Sequence, residues 1–339
     1  METFQAPARR PYPCVRVRRV GFTLVELLVV IAIIGMLMAL LFPAINAARE
    51  QGRANTCRNQ IRNLAFAIVG YQDQKNHYPA IFANAYAAQS AQVYRPLVYA
   101  VLPQLGYKKV YDNYRPLFAD LSGTPEAPGL PGQQIDDPDY IEVLVCPSDT
   151  QRRIGATAAD QALRKAPMSY VFNAGRTTAS ASLPAAPNPA DGVFLESGFI
   201  GQSDVLNGDG LGTTLMLGEN LDAGSWNVWD WDTSTGAPTK GHEVEFVWWD
   251  VDNTQWQNHG INARPTNGTS LATDYRDARP SSNHGGGANF AFCGSNVQFI
   301  SEEIDYQVLV QLMTSKSSQS LPTVASGVNL GIKLREDSF

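Results

Sequence analysis

The chain has 339 residues, of which 44% are hydrophobic and only 17% charged, with 28 glycines, 21 prolines and a net charge of −6. That length allows one large or two modest domains beyond any targeting segment. The acidic balance argues against a nucleic-acid partner, and the charge-poor, turn-rich composition suits an extracytoplasmic head rich in strands and loops.

The first 21 residues are basic: Arg9, Arg10, Arg16, Arg18 and Arg19 face only Glu2, and the segment closes on Gly21. Without it the remaining chain carries about −10. From Phe22 to Phe42 the sequence is apolar apart from Glu26. A helix rising about 1.5 Å per residue crosses the roughly 30 Å hydrocarbon core over such a run. The arginine excess before it is expected to hold the N-terminus in the cytoplasm and send the rest across the inner membrane. No small-residue cleavage site follows the run, as it would in a secretory signal. A lone carboxylate inside an apolar segment is expensive and calls for a partner.

The order of basic leader, Gly21, Phe22-Thr23-Leu24-Val25-Glu26 and apolar helix resembles the prepilin-type N-terminus of type IV pilin-like proteins and type II secretion pseudopilins. The resemblance implies that a prepilin peptidase cuts between Gly21 and Phe22 and that Phe22 is methylated. It further implies that Glu26 pairs with the freed amine of a neighbouring subunit, so that the partners are that peptidase, the membrane, and copies of this chain or other pilin-like subunits. Gly35 and Pro43 fall where such helices commonly carry helix-weakening residues. The expected organisation is a leader over 1–21, a helix over 22–75 with 22–42 in the membrane, and a head over 76–339.

Past Pro43 the helix is expected to continue as an amphipathic one. Ile45, Ala48, Gly52, Ile61, Leu64, Ala65, Ile68 and Tyr71 recur at three- and four-residue steps, with Arg49, Glu50, Arg53, Arg58 and Arg62 on the opposite face. Asn76-His77-Tyr78-Pro79 ends it, because the residue before a proline resists helical torsions. Residues 80–92 read as irregular, 96–105 as a short helix broken at Pro103, and 122–139 and 179–189 as loops. Strands are expected at 141–145, 168–173, 192–195, 213–217 and 244–249. A hairpin joins 288–292 to 297–300 through Gly294-Ser295-Asn296. Ile304, Val308, Leu309 and Leu312 mark a last helix, followed by a polar tail from Ser315. The fold class is α+β: a long N-terminal helix packed on a mainly antiparallel sheet, with long loops.

The head resembles a large bacterial family of pilin-like proteins with a domain of unknown function, DUF1559, described by a C-terminal His-x9-Asp-Gly motif. The marks are Cys57 to Leu64, Cys146-Pro147-Ser148-Asp149, Ser169-Tyr170, Asn207 to Gly210, Leu217-Gly218-Glu219 and His284 to Phe290, which includes Asn289. One departure is clear: nine residues after His284, Gly294-Ser295 stands in place of Asp-Gly.

Several residues are candidates for chemistry. His284 precedes three glycines, which suggests an exposed ring that binds a metal or ligand; a histidine bonded to backbone in support of the hairpin is the favoured alternative. Asp204, Asn207 and Asp209 have the oxygen-rich look of a calcium loop but lack EF-hand spacing, so a plain turn is favoured. No other cofactor is indicated. Trp226, Trp229, Trp231, Trp248, Trp249 and Trp256 lie close in sequence beside aspartates, and either form a ligand-binding patch or fill the core. Of Cys57, Cys146 and Cys293, the pair Cys57–Cys146 is the first disulfide to expect in an oxidising compartment, with three small buried thiols the alternative. No nucleophile elbow, phosphate loop or His-Glu-x-x-His motif is present, so the chain does not read as an enzyme. The leading expectation is a processed filament subunit. The alternative is a membrane-anchored solute- or glycan-binding protein that uses the same N-terminus only for export and anchoring.

Overall fold

The computed structural model describes residues 23–84, 94–119, 140–149, 167–177, 190–195, 199–221, 223, 226, 231–232, 237–238, 244–249, 260–263 and 279–320. Two compact units divide the chain between Arg49 and Glu50. Helix α1, Leu24–Lys75, begins in the first and ends in the second, and runs without interruption through Gly35 and Pro43. Thr23 starts it with a reciprocal cap. The Glu26 amide donates to Thr23 Oγ1 at 3.2 Å, while the Thr23 amide donates to Glu26 Oε2 at 2.9 Å. Asn76 stops it by taking a left-handed φ of 62°, its amide still bonded to the Gln72 carbonyl.

In the first unit the large apolar side chains from Leu24 to Phe42 are all exposed, and this stretch is long and apolar enough to cross a membrane. In the second unit, Cys57, Gln60, Ile61, Leu64, Ala65, Ile68 and Gln72 are buried at three- and four-residue steps. The packed stripe therefore starts at Cys57; Ala48 and Gly52, expected on it, are exposed.

Strand β1 (Phe82–Asn84), inside the stretch expected to be irregular, pairs antiparallel with β2 (Tyr94–Pro96), which lies just beyond it. Helices α2 (Leu97–Val101) and α3 (Lys108–Ala119) follow, the first ending before Pro103 as its torsional restriction requires. The strand expected at 141–145 is instead a 3-10 turn, Glu142–Leu144, whose buried Leu144 anchors the following Cys146-Pro147 bend. Strand β3 (Tyr170–Thr177) comes next; residues 192–195, expected as a strand, are irregular and bond to the Asn173 carbonyl. Helix α4 (Gln202–Leu206), β4 (Leu215–Glu219), β5 (Trp231–Asp232), β6 (Ala237–Pro238) and β7 (Glu245–Trp249) lead to the hairpin β8 (Gly287–Phe292) and β9 (Val297–Ser301). Helix α5, Tyr306–Met313, is the last of the described helices, its N-terminus capped by Asp305.

The main sheet has the order β7-β3-β4-β8-β9 and is antiparallel except for the β3–β7 pair. Alternation along β3 divides the core. Tyr170 and Phe172 join a cluster with Ile61, Leu64 and Ile68 of α1, whereas Val171 joins one with Phe246, Phe290 and Leu309 of α5. The α+β architecture expected from the sequence is the one found, with its sheet covered on both faces. The tail expected from Ser315 is packed as far as Ser320: Ser315 and Ser320 are buried, and the Ser315 amide bonds the Ala190 carbonyl.

The β8–β9 turn shows what the departure at Gly294-Ser295 costs. Ser295 takes φ 64°, the left-handed region, and its amide bonds the Phe292 carbonyl. That conformation costs a non-glycine residue about 1 kcal/mol. Ser295→Gly is therefore expected to stabilise the head by about 0.5–1 kcal/mol, read as a raised denaturation midpoint with unchanged denaturant slope.

Candidate functional site

Four segments distant in sequence meet around His284. Two glycines allow β8 to begin here: Gly286 takes φ 82°, and a Cβ on Gly287 would lie 2.1 Å from the Ile300 carbonyl oxygen. The Asn262 carboxamide and the Ser282 hydroxyl brace the approach to the strand, accepting from the Ser282 and His284 amides respectively. His284 itself is buried, at 5% exposure, and not exposed as its glycine-rich setting suggested.

Its ring is held by carboxylates rather than by backbone. Nδ1 lies 3.0 Å from Glu50 Oε1 and Nε2 lies 3.2 Å from Glu219 Oε1. Glu219, at the end of β4, is 2% exposed and also accepts from the Asn289 backbone amide at 2.8 Å and the Asn289 carboxamide. Glu50, on α1, accepts from the Ser148 hydroxyl at 2.7 Å and pairs with Arg53 at 3.5 Å. Burial opposes charge on His284, but the hydrogen bond and charge of Glu219, then those of Glu50, outweigh it and raise its pKa. Burial likewise opposes the Glu50 carboxylate, yet Ser148, His284 and Arg53 together lower its pKa. Each ring nitrogen thus faces a carboxylate oxygen, an arrangement that favours the protonated imidazole.

A disulfide abuts this charge. Cys57 and Cys146 are bonded at 2.05 Å, and Cys146 Sγ lies 3.6 Å from His284 Nε2. Around it, Tyr170 donates to Gln60 Oε1 at 2.7 Å, Gln60 donates to the Glu142 carbonyl, and Ser169 donates to Asp149. Burial raises the Tyr170 pKa well above its ordinary value, so it stays a neutral donor. Cys293 is a buried free thiol pushed up to about 12 by burial, and so is unreactive at neutral pH.

The other sequence candidates do not join this centre. Asp209 spends its carboxylate on the Thr314 hydroxyl and the Ser317 amide and hydroxyl, while Asp204 caps the Gly201 amide with Lys316 3.9 Å away. These carboxylates are committed to protein donors, and a nearby ammonium opposes a cation, so the calcium reading has no support here. Trp226 and Trp248 are buried at 1% and 0% exposure, Trp248 donating to the Asp191 carbonyl, which makes them core residues and not a ligand patch. Gly21, Phe22 and Trp229 lie outside the described residues, as does the Trp249 side chain. Glu26 is engaged by Thr23 of its own helix in this single chain.

Residues 46–307 match a family model described as "Protein of unknown function (DUF1559)". The chain belongs to this family. Of the marks that carried the DUF1559 resemblance, Cys57, Cys146 to Asp149, Ser169-Tyr170, Glu219, His284 and Asn289 gather at or beside this clasp of two carboxylates on one imidazole, whereas Asn207 to Gly210 lies apart from it. Residues 19–42 match the "Prokaryotic N-terminal methylation motif". The type II secretion system core protein G of Pseudomonas aeruginosa is 33% identical over 60 residues, which are 18% of this chain and 42% of that protein. No solved structure matches the chain. The N-terminal region is thus that of a pilin-like protein carrying a prepilin-type processing motif on a long apolar helix, and neither family description names a reaction.

Glu50 and Ser148 were the residues that periodicity misplaced or passed over. Glu50 falls on the polar side of α1 by spacing, yet it lies seven residues before Cys57, two helical turns away on the same side as the disulfide. That offset from the cysteine was the available signal.

Proposed function

We propose that this chain is a pilin-like, pseudopilin-type subunit, cut between Gly21 and Phe22, methylated on Phe22, and assembled through its apolar helix into a type II secretion or type IV pilus-like structure. The match of residues 19–42 to the methylation motif carries this reading, together with the exposed apolar side chains from Leu24 to Phe42. Those side chains need lipid before assembly and neighbouring helices after it. The head, clasped to α1 at Glu50 and Cys57, faces the periplasm or the exterior and supplies the outer contacts.

The role assigned to Glu26 is to meet the freed amine of a neighbouring Phe22. In the isolated chain the same carboxylate caps its own helix, so loss of the cap and loss of charge must be separated. Glu26→Ala removes both, whereas Glu26→Gln keeps an acceptor for the Thr23 amide and removes only the charge. Both variants are expected to be cut and methylated normally but to vanish from crosslinked multimers in cells. Wild-type multimer yield for Glu26→Gln would contradict the proposed pairing. Trp226 and Trp248 lie in the core, which removes them as the ligand surface of an anchored binder.

A further inference from the structure

We propose that the reduced head binds one thiophilic divalent cation, of the zinc class, through Cys57, Cys146, His284 and Glu219, so that the disulfide and the metal are alternative occupants of one site. This goes beyond the assembly reading and does not depend on it.

One ligand atom from each of the four residues lies within 4.8 Å of the others, and all four residues are buried. Tetrahedral zinc with bonds of about 2.0–2.3 Å sets its ligands roughly 3.3–3.8 Å apart, so the set must close by no more than about 1.5 Å. Two edges are already of that order: Cys146 Sγ to His284 Nε2 at 3.6 Å, and Nε2 to Glu219 Oε1 at 3.2 Å. The cysteine Cα atoms stand 5.0 Å apart, and once the sulfurs are unbonded, side-chain rotation separates them without moving the backbone.

The surrounding bonds prepare the donors for a metal. Glu50 holds Nδ1 of His284, which leaves Nε2 facing the sulfurs; a carboxylate behind a ligating histidine is the usual support of a zinc imidazole. The Asn289 amide and carboxamide orient Glu219 in the same way. Two thiolates and an imidazole select zinc-class ions over calcium or magnesium.

The exchange balances. A dithiol or phosphine reductant gives two electrons to the Cys57–Cys146 bond, which takes up two protons; the dithiol leaves as its disulfide, or the phosphine as its oxide with water supplying the oxygen. On binding, the cation displaces both thiol protons and the Nε2 proton of His284 to solvent. Reoxidation by an external disulfide removes two electrons from the thiolates and releases the ion. The metal takes the place that the Nε2 proton fills in the oxidised clasp.

The test uses the full chain in detergent, reduced by a phosphine without oxygen and titrated with Co2+ as a spectroscopic stand-in, with Zn2+ as competitor. The expected result is one equivalent of Co2+ with a sulfur-to-cobalt charge-transfer band, displaced by Zn2+ and absent from the oxidised chain. His284→Ala and Cys57→Ser should abolish the band. Glu50→Gln, which leaves all four donors in place, should keep it and weaken affinity about 10- to 100-fold. Should the reduced chain lose its fold, Zn2+ must restore near-ultraviolet dichroism. No band in the folded reduced chain, an unaltered affinity in Glu50→Gln, or no metal-dependent refolding would each overturn the proposal.

Discussion

Glu219→Ala is expected to lower the stability of the head by about 3–5 kcal/mol, the range for removing one partner of a buried ion pair. The carboxylate is 2% exposed and accepts from His284 Nε2, the Asn289 amide and the Asn289 carboxamide, so its loss strands three buried donors at once. Denaturant unfolding of the detergent-solubilised chain measures this, and a loss under about 1 kcal/mol would show that the clasp does not hold the head together. The pH dependence carries the same information. His284 has a raised folded pKa, so its contribution is complete below the ordinary histidine value and is lost as pH rises through the raised one. Glu50 has a lowered pKa, so its contribution is present above the ordinary carboxylate value and is lost as pH falls through the lowered one. Wild-type stability should therefore decline as pH rises past the ordinary histidine value, and Glu219→Ala should flatten that decline.

Removing the disulfide is the second large effect. Cys57 and Cys146 are 89 residues apart, and releasing a loop of that length from the unfolded chain costs about 4–5 kcal/mol by chain entropy. The Cys57→Ser/Cys146→Ser double variant should show that loss in the same unfolding experiment, and a change below about 1 kcal/mol would contradict it. Because Cys146 Sγ lies 3.6 Å from the His284 ring, this loss and that of Glu219→Ala should not add. The combined variant is expected to cost measurably less than the two losses taken together.

The N-terminal half of this architecture was readable because its signals are local. The apolar run needs only its own length, and Asn76 to Pro79 stop the helix by backbone torsion. The β8–β9 hairpin was readable for the same reason: Ser295 closes a turn within a few residues. Residues 141–145 and 192–195 misled because short apolar runs are equally at home in a buried bend, and their hydrogen bonds go to Ser169 and Asn173 rather than along a ladder. The clasp was half legible. Its residues stood out as separate marks, but nothing in the spacing of Glu50, Glu219 and His284 foretells that two carboxylates share one imidazole. That arrangement arises only when β4 and β8 pair, which sets Gly218 opposite Phe290 and so brings Glu219 beside Asn289. Trp226 and Trp248 failed as a surface for the converse reason: clustering in sequence says nothing about which face of a strand a side chain takes, and Trp248 falls on the α5 side of the sheet, inside the core.

The reading of the chain as a processed, pilin-like subunit is tested most directly by mass spectrometry of its N-terminus purified from its own membranes. The expected species begins at Phe22 and carries one methyl group on its α-amine. A chain that still begins at Met1, or one that is cut anywhere other than after Gly21, would contradict it.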